Sequence, residues 1–212
     1  DPGPVDGIRG PRTDAAITAF KRSIGYRGRP YYGPLTHEAL MGGPQPDLGD
    51  LSVIPWYDEA RRIMGLHEHR NTAALREWFH SSVAWIDPRE IPWCGAFVAT
   101  CLRRTVGRQR WPDNPLVARQ WQGWGREVTP SLGAVMVFWR GSRSGWKGHG
   151  CFYHAEDETH FHVLGGNQSN AVTISRISKA RLLSARWPDR WDHTTAPIHV
   201  TPGGVPITHD EA

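Results

Sequence analysis

The chain has 212 residues, of which 39% are hydrophobic, and a formal net charge of +4. This size and composition are typical of one or two globular domains, and runs such as 134–139 are too short to cross a bilayer. Basic residues are dispersed, so we expect neither a nucleic-acid arm nor a membrane partner, although the positive charge favours anionic polymers. The sequence opens at Asp1 without a leader, and we leave the export route open.

The first forty residues contain a repeat in which the spacing of Gly, Thr and small apolar residues in 7–17 returns in 30–40. Each copy contains Gly-Pro, with glycine at the expected N-cap and proline at the first helical position. We therefore predict a helix from Pro11 to about Ile24, with apolar residues on one face, and a second helix after Pro34.

Residues 3–20, which run Gly-Pro-Val-Asp-Gly-x-x-Gly-Pro-x-Thr-x-x-Ala-Ile-x-x-Phe, resemble the three-helix peptidoglycan-binding module found beside many wall hydrolases. The resemblance implies that 1–42 is a wall-binding module. Two features depart from the pattern: Arg29-Pro30 replaces the usual Asp-Gly, and the first helix of the family has no counterpart. The alternative is a helical spacer that does not bind wall.

A Gly-, Pro- and Asp-rich stretch follows, and we assign 43–55 to a linker and 56–192 to a second domain. This domain opens with helical patterns at 56–64, 71–79 and 94–106. Four β-type runs come next, at 134–139, 150–154, 160–164 and 171–175. Helices followed by a meander predict an α+β fold, and 193–212 is expected to be an extended tail.

Three cysteines cannot form a disulfide framework, and an odd thiol is a candidate nucleophile. Cys94 follows Pro92-Trp93 at the predicted start of a helix, where the free N–H groups and the helix dipole favour a thiolate. Cys101 lies in the apolar stripe of the same helix and is expected to be structural. Cys151 is expected to pack on the face of a predicted strand.

A nucleophilic thiol needs a base, and His149 is the preferred candidate because it begins a predicted strand between two glycines. Asn167 follows the next strand and is expected to accept the Nδ1 proton of His149, with Gln168 as a substitute. The order Cys, His, Asn along the chain is that of papain-type enzymes.

Three segments together resemble the CHAP family of cysteine, histidine-dependent amidohydrolases/peptidases, within the NlpC-like, papain-related superfamily. They are Pro-Trp-Cys-x-Ala-Phe-Val at 92–98, Gly-His-x-x-Phe-Tyr at 148–153 and Leu-Gly-Gly-Asn-Gln at 164–168. The resemblance covers about 56–188 and is nearest to the endolysin-like branch. It implies a papain-like fold, with helices packed on a small antiparallel sheet. Many members carry a glutamate two residues before the asparagine, where this chain has Gly165.

The activity implied is cleavage of the muramoyl–L-alanine amide or of a stem or cross-bridge peptide bond, without cofactor or metal. Cys94 would be the nucleophile, His149 the base and Asn167 the orienting residue, while Trp93 and Gln168 would contact substrate. We expect a monomer that acts on peptidoglycan in the periplasm or at the cell wall.

Two alternatives stay open. One is a non-catalytic wall-binding protein on the same fold. The other is a zinc hydrolase that uses the histidines between His149 and His162, since His160 and His162 would point the same way along a strand. The His67-Glu68-His69 segment lacks the metalloprotease spacing. Trp121, Trp124 and Trp146 stand in loop-like sequence, where an indole could stack on sugars.

Overall fold

The structure is a computed structural model that describes residues 11–23, 54–107, 109–193 and 195–200. The chain divides into two compact units, Asp1–Gly49 and Asp50–Ala212. In the first unit the described residues form helix α1, Pro11–Ser23, within one residue of the predicted helix. The helix predicted after Pro34 and most of the predicted linker lie outside the described residues.

The second unit opens with helices α2 (Pro55–Arg62), α3 (Thr72–Trp78) and α4 (Cys94–Thr105). Each lies within two residues of a predicted helix. Helix α2 carries proline in its first turn, where the missing N–H is tolerated. Helix α4 is buried from its first residue to Leu102 because it packs against α2 on one side and against two strands on the other.

The described residues also form a six-stranded antiparallel sheet in the order β1-β6-β2-β3-β4-β5. Its strands are β1 (Arg126–Glu127), β2 (Val135–Trp139), β3 (Gly148–Glu156), β4 (His160–Gln168), β5 (Ala171–Ser178) and β6 (Leu182–Trp187). The central meander was predicted, and the α+β class is confirmed. Strands β3, β4 and β5 are longer than predicted, and β1 and β6 were not predicted.

Aromatic side chains fill the space between the helices and the sheet. Phe97 of α4 meets Phe152 of β3 with ring centroids 5.7 Å apart. Trp121 and Trp124, which the sequence suggested as loop aromatics, are buried in this core, whereas Trp146 is exposed. Such packing fixes helix α4 against the strands that carry the remaining candidate site residues.

The described part of the predicted tail is extended and docked on the domain. The N–H of Glu156 donates to Ile198 O at 2.8 Å, and the N–H of Val200 donates to Glu156 O at 2.9 Å. Thr195 Oγ1 donates to Leu132 O at 3.1 Å. Among the helices that the structure describes, none has the length and apolar character needed to span a bilayer.

Candidate active site

Cys94 is the first residue of helix α4, which has no acidic residue in its first turn and ends with two arginines. The positive end of the helix dipole therefore lies at the sulfur without a competing carboxylate in that turn. Burial acts to raise the pKa of Cys94. A hydrogen bond with His149, the charge of that ring, and the backbone N–H groups of Gly150 and Gly95 outweigh it and lower the pKa.

The residue after the cysteine must be glycine. A Cβ atom on Gly95 would overlap the carbonyl oxygen of Pro115 and lie 2.8 Å from that of Leu116. Both obstacles are backbone atoms, which cannot swing aside as a flexible side chain can. The close approach brings the segment 115–119 against the start of the helix, beside the thiol.

His149 is the second residue of β3, opposite Phe138 of β2, and its side chain is completely buried. Burial acts to lower the pKa of the ring. Hydrogen bonds and charge interactions with the thiols of Cys151 and Cys94 are stronger, and they raise the pKa well above its ordinary value. A raised histidine pKa beside a lowered cysteine pKa favours a thiolate–imidazolium pair.

A third side chain fixes the ring. His149 Nε2 lies 3.1 Å from Gln168 Oε1, and Gln168 Nε2 donates to Thr173 O at 2.6 Å. Because a carbonyl oxygen can only accept, the second bond fixes the orientation of the amide and turns its oxygen toward the histidine. His149 must therefore donate through Nε2, and in the neutral ring the lone pair lies on Nδ1.

Because Gln168 holds Nε2, only Nδ1 remains to interact with the sulfur atoms. It is buried and has no hydrogen-bond partner of ordinary geometry among the described residues, although the thiols of Cys94 and Cys151 are close enough to raise the pKa of the ring. The tautomer held by Gln168 thus presents a proton acceptor to the thiols. This is the arrangement that thiol activation by histidine requires.

The bond predicted between Asn167 and His149 is not formed. Asn167 is buried, has a φ of 59°, and its Oδ1 has no hydrogen-bond partner among the described residues. It lies where the register of β4 against β5 shifts, between Gly165 and Gln168. Such a bulge changes the face to which each side chain points, and here it gives the contact with the histidine to Gln168.

Gly165 leaves the space that the glutamine occupies. A Cβ atom at this position would lie 2.6 Å from Gln168 Oε1 and 3.0 Å from Cys151 Cβ. Position 165 is therefore compatible with this placement of the glutamine only when it has no side chain.

The structure does not expose Trp93 or Gln168, which we predicted to contact substrate, since both are completely buried. Trp93 Nε1 donates to Glu68 Oε2 at 2.9 Å, and a Cβ atom on Gly166 would lie 2.5 Å from the indole. Trp93 therefore supports the residues around Cys94 from inside the core. Glu68 was not singled out for this role, because an isolated glutamate between two histidines gives no signal in the sequence.

The candidate pair is closed in this structure. Cys94 is 4% exposed and His149 is 0% exposed. Both side chains are buried because α4 packs against β3, and because Ala118 and Arg119 lie against Gly148 and Gly150 at the start of that strand. A substrate carbonyl can reach the sulfur only after neighbouring groups move.

The histidines proposed for a zinc site do not meet at one point, although His160 and His162 both face Asp157. Their contacts are His149 with Gln168, His154 with Tyr57, His160 with Thr159 and His162 with Asp157. No group of three or more His, Cys, Asp or Glu side chains within the described ranges has the arrangement of a metal site.

Comparison of the chain with models of protein families, with curated proteins and with solved structures finds no match in any of the three.

Proposed function

We propose that this chain is a cysteine amidase or peptidase that cuts an amide bond of bacterial peptidoglycan. Cys94 is the nucleophile, His149 is the acid–base residue, and Gln168 orients the ring. The observation that carries the proposal is Cys94 at the start of α4 beside a His149 ring whose tautomer is fixed by the Gln168 amide, and the opposite displacement of the two pKa values agrees with it. In this proposal the second domain has a papain-like fold.

The chemistry follows from these positions. The Cys94 thiolate attacks the amide carbonyl carbon, a C–S bond forms, and the π electron pair moves to the oxygen. Free N–H groups at the start of α4 are suited to hold this oxyanion. Collapse breaks the C–N bond, and the leaving amine takes the proton from His149 Nδ1. Water then attacks the thioester, gives a proton to Nδ1 and releases the thiolate, while Gln168 holds the Nε2–H.

Peptidoglycan is proposed as the substrate on sequence grounds. The three segments around Cys94, His149 and Gln168 resemble those of wall-cleaving amidases, and residues 1–42 resemble a wall-binding module. The net charge of +4 suits an anionic polymer. The chain would act as a monomer in the periplasm or at the wall.

One observation favours a second candidate, a wall-binding protein without activity. Exposures of 4% for Cys94 and 0% for His149 are also what a polar network inside a structural core would have. The two candidates differ in one respect that can be measured, which is whether the sulfur of Cys94 forms a bond to substrate.

The test is clearing of purified sacculi by the wild type, Cys94→Ala and the matched control Cys101→Ala. Cys101 lies in the same helix, is also buried, and has a pKa that burial raises well above its ordinary value. We expect clearing by the wild type and the control and none by Cys94→Ala, with all three folded by circular dichroism.

Clearing by Cys94→Ala would exclude thiol catalysis at this residue. Sedimentation of all three proteins with sacculi, without clearing by any of them, would support the non-catalytic candidate. Loss of clearing in chelator, together with resistance to iodoacetamide, would instead revive the zinc hypothesis. Mass spectrometry of the released fragments identifies the bond that is cut.

A further inference from the structure

One arginine fixes the shape of the loop between β2 and β3, residues 140–147. Arg119 donates from Nε to Lys147 O at 2.8 Å, from Nη1 to Arg143 O at 2.9 Å and from Nη2 to Ser142 O at 3.0 Å. Within the loop, the N–H of Gly145 donates to Ser142 O at 3.2 Å. A planar guanidinium that binds three carbonyls holds the loop in one conformation although the loop is exposed.

The same segment of chain borders the candidate active site. Residues 115–116 pack against Gly95, next to the nucleophile, and Ala118 Cβ would lie 3.8 Å from a Cβ atom on Gly150. The Cγ atom of Arg119 would lie 3.0 Å from a Cβ atom on Gly148. Gly148 and Gly150 flank the histidine, so the segment 115–119 connects the start of α4, the start of β3 and the loop.

The clamped loop presents an aromatic side chain among cations. Trp146 is 76% exposed, and Lys147 Nζ lies 5.9 Å from the centre of its ring. Arg143 is also exposed, and the sequence has no acidic residue from 140 to 155. A single exposed indole is common on protein surfaces, but this one stands beside Lys147 in a loop that Arg119 holds and that ends two residues before His149.

We propose that this loop, with Trp146 at its centre, is a subsite for the glycan strand of peptidoglycan. The identity of the ligand rests on the proposed function. The indole offers a flat face for the C–H groups of a pyranose ring, and Arg143 and Lys147 pair with the lactyl carboxylates of muramic acid units from which the peptide stem has been removed. Nucleic acid also stacks on aromatic residues among cations, but a thiol nucleophile that attacks amides has no target in it.

Fluorine NMR of the full chain tests the proposal without need of activity. The protein carries Cys94→Ala to prevent cleavage and 5-fluorotryptophan at every tryptophan, and Trp146→Phe and Trp85→Phe assign two resonances. Trp85 is the matched control, since it is 66% exposed but lies outside the loop. The probe is soluble glycan strands freed of peptides, whose muramic acid units carry free carboxylates.

We expect the Trp146 resonance to shift with increasing glycan while that of Trp85 stays in place. We also expect Arg119→Lys to weaken glycan binding at the loop by roughly ten-fold. Arg119→Lys keeps the positive charge but loses the planar guanidinium that binds the three carbonyls. Glycan binding by this variant is measured through the fluorine shift of Trp146.

Two results would overturn the proposal. One is a Trp146 resonance that does not respond to glycan, and the other is a response to a single-stranded oligonucleotide but not to glycan, which would assign the loop to nucleic acid. Because binding is measured with Cys94→Ala, failure of the wild type to clear sacculi leaves this result unaffected. If the wild type clears sacculi but the loop does not bind glycan, the proposed subsite is refuted while the proposed activity stands.

Discussion

Replacing Gln168 with alanine removes the acceptor for the Nε2–H of His149 in a place that water does not reach. The ring is 0% exposed, so the N–H would be left buried without a partner. Loss of a hydrogen bond to a charged group in such a place costs about 1.5–3 kcal/mol. If the bond is needed in the transition state, kcat falls by roughly ten- to a hundred-fold.

The substitution also has a defined effect on the thiolate. In the wild type the pKa of Cys94 is lowered and that of His149 is raised, and both shifts favour the thiolate–imidazolium pair. Without the acceptor the imidazolium is less stable, so the pKa of His149 falls and the pKa of Cys94 rises. The pH dependence of Cys94 alkylation therefore moves to higher pH in Gln168→Ala.

Alkylation by iodoacetamide, followed by mass spectrometry of the peptide that contains Cys94, measures this change separately from clearing of sacculi. The control is Asn167→Gly, because glycine accepts the φ of 59° and the Asn167 Oδ1 atom has no partner that would be lost among the described residues. We expect wild-type kcat and alkylation from the control. An Asn167→Gly protein as impaired as Gln168→Ala, or a Gln168→Ala protein with wild-type kcat, would refute the assigned role of Gln168.

Three further substitutions separate stability from activity. Gly165→Ala should lower kcat in sacculus clearing because its Cβ would displace the Gln168 amide from His149, and it should also lower Tm because Cys151 Cβ lies 3.0 Å away. Gly95→Ala meets two backbone carbonyls, and it should lower the free energy of unfolding by about 1–3 kcal/mol, measured by thermal unfolding. Asp157→Asn should lower Tm at neutral pH, because the ionised carboxylate stabilises the folded state. Burial acts to raise the pKa of Asp157, but bonds from His162 and Arg176 outweigh burial and lower the pKa. Stability from a depressed carboxyl pKa is lost as pH falls, so the Tm difference should shrink below about pH 4; a constant difference would contradict the ionic role.

Local rules were sufficient to predict Cys94 at the start of a helix and His149 at the start of a strand. Proline before Cys94 and an apolar stripe after it predict a helix that starts at the thiol, and glycines around His149 mark the start of a strand. The sequence offered both Asn167 and Gln168 as the third residue but could not decide between them, because the bulge in β4 determines which amide faces the ring. A bulge depends on pairing with β5, and neighbouring residues in the sequence do not reveal it.

The same distinction explains the strands. Strand β6 was not predicted because Ser184 and Arg186 interrupt its apolar pattern. Its place in the sheet comes from pairing with β2, which is far away in sequence and itself contains an irregularity between Val137 and Phe138. Element types set by short-range periodicity were predictable, and those set by a distant partner were not.

The closed state of the pair and its electrostatics belong together. A thiolate beside an imidazolium is costly to bury, and here helix N–H groups and the Gln168 amide replace water as its solvent. Full opening would restore water and weaken the pKa displacement on which attack depends. In the proposed enzyme, substrate would therefore reach the sulfur through a local movement. The segment 115–119 is the best candidate for that movement. It packs beside Cys94, lies against Gly148 and Gly150 on either side of His149, and holds the loop of Trp146. A glycan strand bound at that loop would act on the same segment that restricts access to the sulfur.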